Sequence, residues 1–170
     1  LGEIADYTKA IEINPQYADA YYNRGNAKRK LKDYQGAITD YTKAIGINPQ
    51  YANAYYNRGI AKSKLKDYQG AIADYSKVIA ISPQRVSAYV NRGIAKRKLK
   101  DYQGAIADYD KAIEINPQLS RVYKNRGITK ERNGDLKGAC RDYKKAVSLG
   151  NHGTIKWLNA KGGTWCRNMR

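Results

Sequence analysis

The stretch Ala20–Ile38, AYYNRGNAKRKLKDYQGAI, returns almost letter for letter as Ala54–Ile72, AYYNRGIAKSKLKDYQGAI. The step between them is 34 residues, and it organises nearly the whole chain. Gly25, Gly59, Gly93 and Gly127 keep it, as do Ala37, Ala71, Ala105 and Ala139. So do Tyr7, Tyr41, Tyr75, Tyr109 and Tyr143, and so do Pro15, Pro49, Pro83 and Pro117, which are all the prolines present. An internal period of this length marks a stacked-repeat architecture, in which no unit can bury its apolar face alone. The steps predict four complete units at 18–51, 52–85, 86–119 and 120–153. A half unit over 1–17 precedes them, and a non-repeating tail over 154–170 follows.

Inside a unit the apolar spacing is helical. Ala37, Tyr41 and Ala44 fall at i, i+4 and i+7, with Ile38 and Ile45 beside them. In the preceding half, Tyr21, Gly25 and Lys28 form one stripe, flanked by Arg24, Ala27 and Leu31. Asp33 stands where an N-cap would open the second helix, and its negative charge suits the positive end of the helix dipole. The run INPQ closes that helix, because the residue before a proline avoids the helical region. Each unit therefore reads as helix, turn, helix, turn, and no stretch alternates as a strand would. Gly25, Ala37 and Ala44 let two helix backbones approach, and Tyr21, Tyr34 and Tyr41 fill the space around that contact.

The 34-residue step, the spacing of Tyr21 and Gly25, and then Ala37, Tyr41, Ala44 and Pro49 resemble the tetratricopeptide repeat. The resemblance covers nearly all of residues 1–153. The wording NRGIAK and GAIADY is most similar to bacterial, cyanobacterial-type members. The resemblance implies an all-α fold: a right-handed α-α superhelix of stacked helical hairpins with a C-terminal capping segment. It also implies that the first helices line a concave groove, where asparagines hold the backbone of a ligand. Two repeated positions and one single residue depart from the family pattern. Arg24, Arg58, Arg92 and Arg126 stand where leucine is usual, and Lys28, Lys62, Lys96 and Lys130 where tyrosine is usual. Asn151 replaces the proline expected in the fourth unit.

Composition bounds the function. The chain has 170 residues, 42% of them hydrophobic, and a formal charge of +17 from 32 basic and 15 acidic side chains. Nucleic acid, anionic lipid and acidic protein are the partners such a balance favours. No apolar run is long enough for a membrane span. The opening LGEIADYTKA has no basic-then-apolar signal character, but the first residue is Leu1, so earlier removal of a leader is compatible with it. The compartment, cytoplasmic or periplasmic, stays open. No nucleophile–base pair, glycine-rich phosphate loop or metal-ligand spacing is present, and His152 is the sole histidine. The expectation is a non-catalytic scaffold with no cofactor. Its expected partner is an extended, acidic or partly apolar protein segment. Nucleic acid bound through the basic residues is the alternative, as is self-association through the half unit.

The candidate binding residues lie on the face of each first helix that points away from the Gly–Ala contact. In the first unit they are Tyr22, Asn23, Asn26 and Lys30. The second contributes Tyr56, Asn57, Ile60 and Lys64, the third Asn91, Ile94, Arg97 and Lys98, and the fourth Lys124 and Asn125. Asparagine persists at 23, 57, 91 and 125 while its neighbours change. An amide can both donate to and accept from a peptide backbone, although bonding between units is the structural alternative. In some members of the resembling family, a cluster of Lys, Asn and Arg clamps the terminal carboxylates of chaperone tails. Asn26 and Asn57 match that cluster, but Tyr22, Ser87 and Asn91 stand where its cations belong, so that specificity is not expected. The clustered cations Lys28, Arg29, Lys30 and Lys32, with their counterparts, form a basic band that is either a solvated face or an attracting one. Asp6, Asp40, Asp74, Asp108 and Asp142 share the arginines' step, which predicts that each arginine pairs with an aspartate on the second helix of its own or the preceding unit. Cys140 falls at an inward position and Cys166 in the tail. The pair is either two buried small hydrophobes or a disulfide pinning the tail.

Overall fold

The computed structural model describes residues 2–160 and 163–168. Leu1, Lys161, Gly162, Met169 and Arg170, which belong to the predicted half unit and tail, lie outside the described residues. Every regular element among the described residues is helical. In order they are α1 (Gly2–Ile13), α2 (Ala18–Lys30), α3 (Tyr34–Ile47), α4 (Ala52–Lys64), α5 (Tyr68–Ile81), α6 (Val86–Lys98), α7 (Tyr102–Ile115), α8 (Ser120–Arg132), α9 (Leu136–Ser148), α10 (His152–Asn159) and α11 (Thr164–Arg167). The chain divides into two compact units, Leu1–Ala88 and Tyr89–Arg170.

In the first unit α1 packs on α2, α2 pairs with α3, α3 packs on α4, and α4 pairs with α5. In the second, α7 packs on α8, α8 pairs with α9, and α10 and α11 close over α9. Each unit is thus a run of consecutive helical hairpins, as the repeat predicts.

The turn inside a hairpin is built by two residues. Lys32 takes a left-handed conformation, φ 66°, and so do Lys66 and Lys100. The Lys32 N–H then donates to the Arg29 carbonyl and the Asp33 N–H to the Lys28 carbonyl, each at 3.0 Å, capping the first helix. The Asp33 carboxylate next accepts from the Gly36 N–H at 2.9 Å and opens the second helix. Asp67, Asp101 and Asp135 repeat the cap. At the far end Asn14, Asn48 and Asn116 each accept from a backbone N–H two residues on, at 3.0 Å. The departing Asn151 has a different use. It N-caps α10, accepting from the Thr154 N–H at 3.0 Å and its hydroxyl at 2.8 Å.

The core repeats as well. Ala37, Tyr41 and Ala44 are fully buried, as are Ala105, Tyr109 and Ala112 in the second unit. A Cβ added at Gly25 would lie 2.8 Å from the Tyr41 ring, and at Gly59 the same distance from Tyr75. Only glycine lets the tyrosine lie flat against the facing helix. Beyond α9 a second cluster forms, where Cys140 and Cys166 are disulfide-bonded with Cα atoms 5.3 Å apart. Leu158 and the half-buried Ile128, Val147, Trp157 and Trp165 surround that bond.

Candidate functional site

The repeated cations sort into two classes. The Arg24 guanidinium donates to both Asp40 carboxylate oxygens, at 3.0 and 2.7 Å, and Lys28 reaches the same carboxylate at 2.8 Å. Arg58 and Lys62 hold Asp74 in this way, Arg92 and Lys96 hold Asp108, and Arg126 and Lys130 hold Asp142. The four aspartates are buried, at 1–4% exposure. Each carboxylate is therefore repaid for lost hydration by two cations. The remaining nitrogen of the arginine turns to the neighbouring hairpin: Arg24 to Thr8 at 3.1 Å, Arg58 to Thr42 at 3.0 Å and Arg126 to Asp110 at 2.5 Å. Burial works against the Arg126 charge, but the bonds to Asp142 and Asp110 outweigh it and raise its pKa.

Lys28, Lys62, Lys96 and Lys130 are consequently not part of an open basic band. Lys30, Lys32, Lys64, Lys66, Lys98 and Lys100 are exposed. Lys30 follows Asn26 by four positions, Lys64 follows Ile60 and Lys98 follows Ile94, so each shares a helix face with a candidate binding residue.

In the first unit the candidate residues meet one another. The Asn57 amide donates to the Asn26 carbonyl oxygen at 2.8 Å and to the Tyr22 hydroxyl at 3.1 Å. The Tyr41 hydroxyl donates to the same Asn26 oxygen at 2.8 Å. The Tyr22 ring lies 4.9 Å from Tyr51 and 6.0 Å from Tyr41, centroid to centroid. The Arg85 guanidinium sits over the Tyr56 ring at 4.2 Å and donates to the Asn53 carbonyl oxygen at 2.7 Å. Tyr22, Asn23, Asn26, Tyr56, Asn57 and Ile60 are all half-buried, and the bonds of Asn57 to Asn26 and Tyr22 join α2 to α4 in a polar seam.

In the second unit Asn91, Ile94, Arg97, Lys124 and Asn125 are half-buried and Lys98 is exposed. The Arg97 Nε and the Tyr109 hydroxyl are buried without a hydrogen bond of good geometry among the described residues. Desolvation raises the Tyr109 pKa, against the lowering influence of Arg97. Around Lys124 there is more than the sequence indicates. Lys124, Ile128 and Glu131 of α8, Tyr143 of α9, and Gly153, Thr154 and Trp157 of α10 line a cavity of about 370 Å³. Glu131, Tyr143 and Trp157 are absent from the sequence-derived set. The available signal was the change of sign at Glu131, where Arg29, Ser63 and Arg97 hold the equivalent positions.

Residues 18–51, 52–85 and 86–119 each match the family model described as the tetratricopeptide repeat, and residues 4–31 match one described as TPR repeat. The chain belongs to the tetratricopeptide repeat family. No curated protein matches it. Among solved structures, this TPR chain is similar to a crystal structure of MamA, at 25% identity and a TM-score of 0.84, covering 89% of each chain. It is similar to the Arabidopsis OM64 TPR domain at 33% identity and a TM-score of 0.60, over 68% of this chain and 92% of that one. The first TPR of Spaghetti (RPAP3), solved bound to the HSP90 peptide SRMEEVD, is 26% identical with a TM-score of 0.67, over 70% of this chain and 94% of that one. TPR folds of this kind are typical protein-interaction modules. Among the described residues no helix is long and apolar enough to cross a membrane, and no cluster of His, Cys, Asp or Glu could hold a metal ion.

Proposed function

We propose that the chain is a non-catalytic scaffold, a bacterial, cyanobacterial-type TPR protein of four repeats with a half repeat before them and a cap after them. It holds an extended, acidic or partly apolar segment of another protein. The candidate faces are those of α2 and α4 in the first unit and, taken by itself, of α6 and α8 in the second. The sorting of the cations supports this reading most. Lys28, Lys62 and Lys96 are held by buried aspartates, whereas Lys30, Lys64 and Lys98 keep exposed charge on the face that carries Asn26, Ile60 and Ile94. The peptide in the RPAP3 complex, with two glutamates and an aspartate, is a ligand of that character.

An array of labelled acidic and neutral heptapeptides tests the proposal by fluorescence anisotropy. Acidic members should bind, and more weakly as salt screens the cations. Replacing Lys30 and Lys64 with glutamine should chiefly slow association. Asn23→Ala should weaken binding by about 0.5–1.5 kcal/mol, the worth of one hydrogen bond. Asn57→Ala should cost stability too, because both its amide hydrogens are engaged in the seam. Binding of random-sequence RNA that depends on the same lysines, with no acidic peptide bound, would favour the nucleic-acid alternative. A second reading rests on α1, which has no buried residue although Ile4, Tyr7 and Ile11 form an apolar row. Self-association through that half repeat would appear as a concentration-dependent mass in sedimentation.

A further inference from the structure

The cavity between α8 and α10 has opposite charges at its two ends. Lys124, Ile128 and Glu131 fall at i, i+4 and i+7, so the Cα atoms of the lysine and the glutamate are about 10 Å apart along the helix. A Cβ on Gly153 would lie 3.4 Å from the Lys124 Nζ, which places the cation against the first turn of α10. The wall between the charges is aromatic. Tyr143 and Trp157 are 4.5 Å apart, and Trp165 meets them edge-on at 6.5 and 6.1 Å.

Glu131 is half-buried, and its Oε2 accepts from the Tyr143 hydroxyl at 2.5 Å. It makes no ion pair among the described residues, in a chain with 32 basic side chains. One neutral donor does not replace the hydration a carboxylate gives up on burial, and further acceptor sites remain on it. A guest cation would supply the missing charge, and the Tyr143 and Trp157 rings suit an ammonium or guanidinium group beside them. At the equivalent position Arg29 and Arg97 would repel such a guest.

We infer that this cavity is the subsite for a lysine or arginine side chain of an extended partner segment. The aliphatic stem lies on Trp157 and Ile128, the charged head meets Glu131, and an acidic residue of the same segment meets Lys124. Residues two positions apart share a side of an extended peptide with Cα atoms about 7 Å apart, and the reach of the acidic and arginine side chains makes up the remaining roughly 3 Å to the Lys124–Glu131 spacing, so an acid–apolar–base triplet can engage both charges. The segment then has one direction along α8. This assignment rests on the peptide-scaffold reading and adds a basic anchor to an otherwise acidic ligand.

Both tryptophans of the chain, Trp157 and Trp165, belong to this cluster, so tryptophan emission reports on it alone. The probes are acetylated, amidated pentapeptides: Ala-Glu-Leu-Arg-Ala, the same peptide with glutamine for arginine, and the reversed Ala-Arg-Leu-Glu-Ala. The first should change the emission and bind about tenfold more tightly than either of the others, as one charge-assisted hydrogen bond allows. Glu131→Gln keeps an acceptor for Tyr143 and should erase that preference with the melting temperature unchanged. Glu131→Lys should reverse it. Equal affinity for the arginine and glutamine peptides, or a preference that survives Glu131→Gln, overturns the assignment. If the labelled acidic heptapeptides still bind in that case, the scaffold reading stands without the basic anchor. If they fail as well, the scaffold reading falls with it.

Discussion

Lys32, Lys66 and Lys100 occupy a backbone conformation that side-chain-bearing residues rarely hold, with φ of 65–66°. The fourth hairpin places Gly134 at the same step, with φ of 86°. A left-handed residue with a Cβ costs about 1–2 kcal/mol, of which the entropy of a glycine in the unfolded chain offsets roughly half. Lys66→Gly should therefore raise stability by about 0.5–1 kcal/mol, read from the midpoint of a urea unfolding curve. An unchanged or lowered midpoint would mean that the Lys66 side chain contributes more than its exposure suggests. Read alone, LKDY shows none of this, because lysine carries no mark of a left-handed turn. Gly134 in the same register was the one visible signal. Retaining a strained lysine in three turns leaves positive charge at the mouth of each hairpin.

At the scale of the helix pair, the two departures from the family pattern turn out to be one device. Arg58 in place of leucine and Lys62 in place of tyrosine converge on Asp74, which is buried in the facing helix. Asp74→Ala would leave two half-buried cations side by side without their anion. It should cost about 3–5 kcal/mol, the range for breaking a buried pair from one side. An Arg58→Leu, Lys62→Met, Asp74→Leu triple variant, which removes both cations with their anion, should recover much of that loss, since an apolar seam needs no compensation. Chemical unfolding of both variants measures the difference. A loss under 1 kcal/mol for Asp74→Ala would show that solvent reaches the site. The shared 34-residue step of arginine and aspartate made the pairing legible in the sequence. That Lys62 joins it was not legible, because its place beside Arg29-type and Lys64-type positions reads as one undivided cluster until the helices are packed. The candidate binding residues were legible as a face, from the i, i+4 and i+7 spacing. That Asn57 spends its amide on Asn26 and Tyr22 was not, because those contacts join residues 31 and 35 positions apart.

Across the whole molecule the buried tyrosines set an upper pH limit. Burial pushes the Tyr75 hydroxyl up to about 12 and raises Tyr41, Tyr109 and Tyr143 as well. Below pH 10, the ordinary tyrosine value, folded and unfolded chains both keep these protons, so stability is unaffected. Between 10 and about 12 the unfolded chain loses the Tyr75 proton while the folded one retains it, and stability falls by up to ~1.4 kcal/mol per pH unit; Tyr41, Tyr109 and Tyr143, also raised by burial, act in the same direction. Unfolding followed by circular dichroism should therefore coincide with the appearance of phenolate absorbance in a late, cooperative step. Gradual ionisation of all 16 tyrosines in a chain that stays folded would contradict this. The repeat length, the helix pairs, their caps and the glycine–tyrosine contact were all determined by the sequence itself, because each depends on residues near in the chain or on an exact period. Only the tertiary structure decided which cations are neutralised, which asparagine is already bonded, and that Glu131 faces Trp157 across a cavity. Those outcomes depend on distances between side chains of different helices, and charge and amide groups look alike in sequence until packing supplies or withholds a partner.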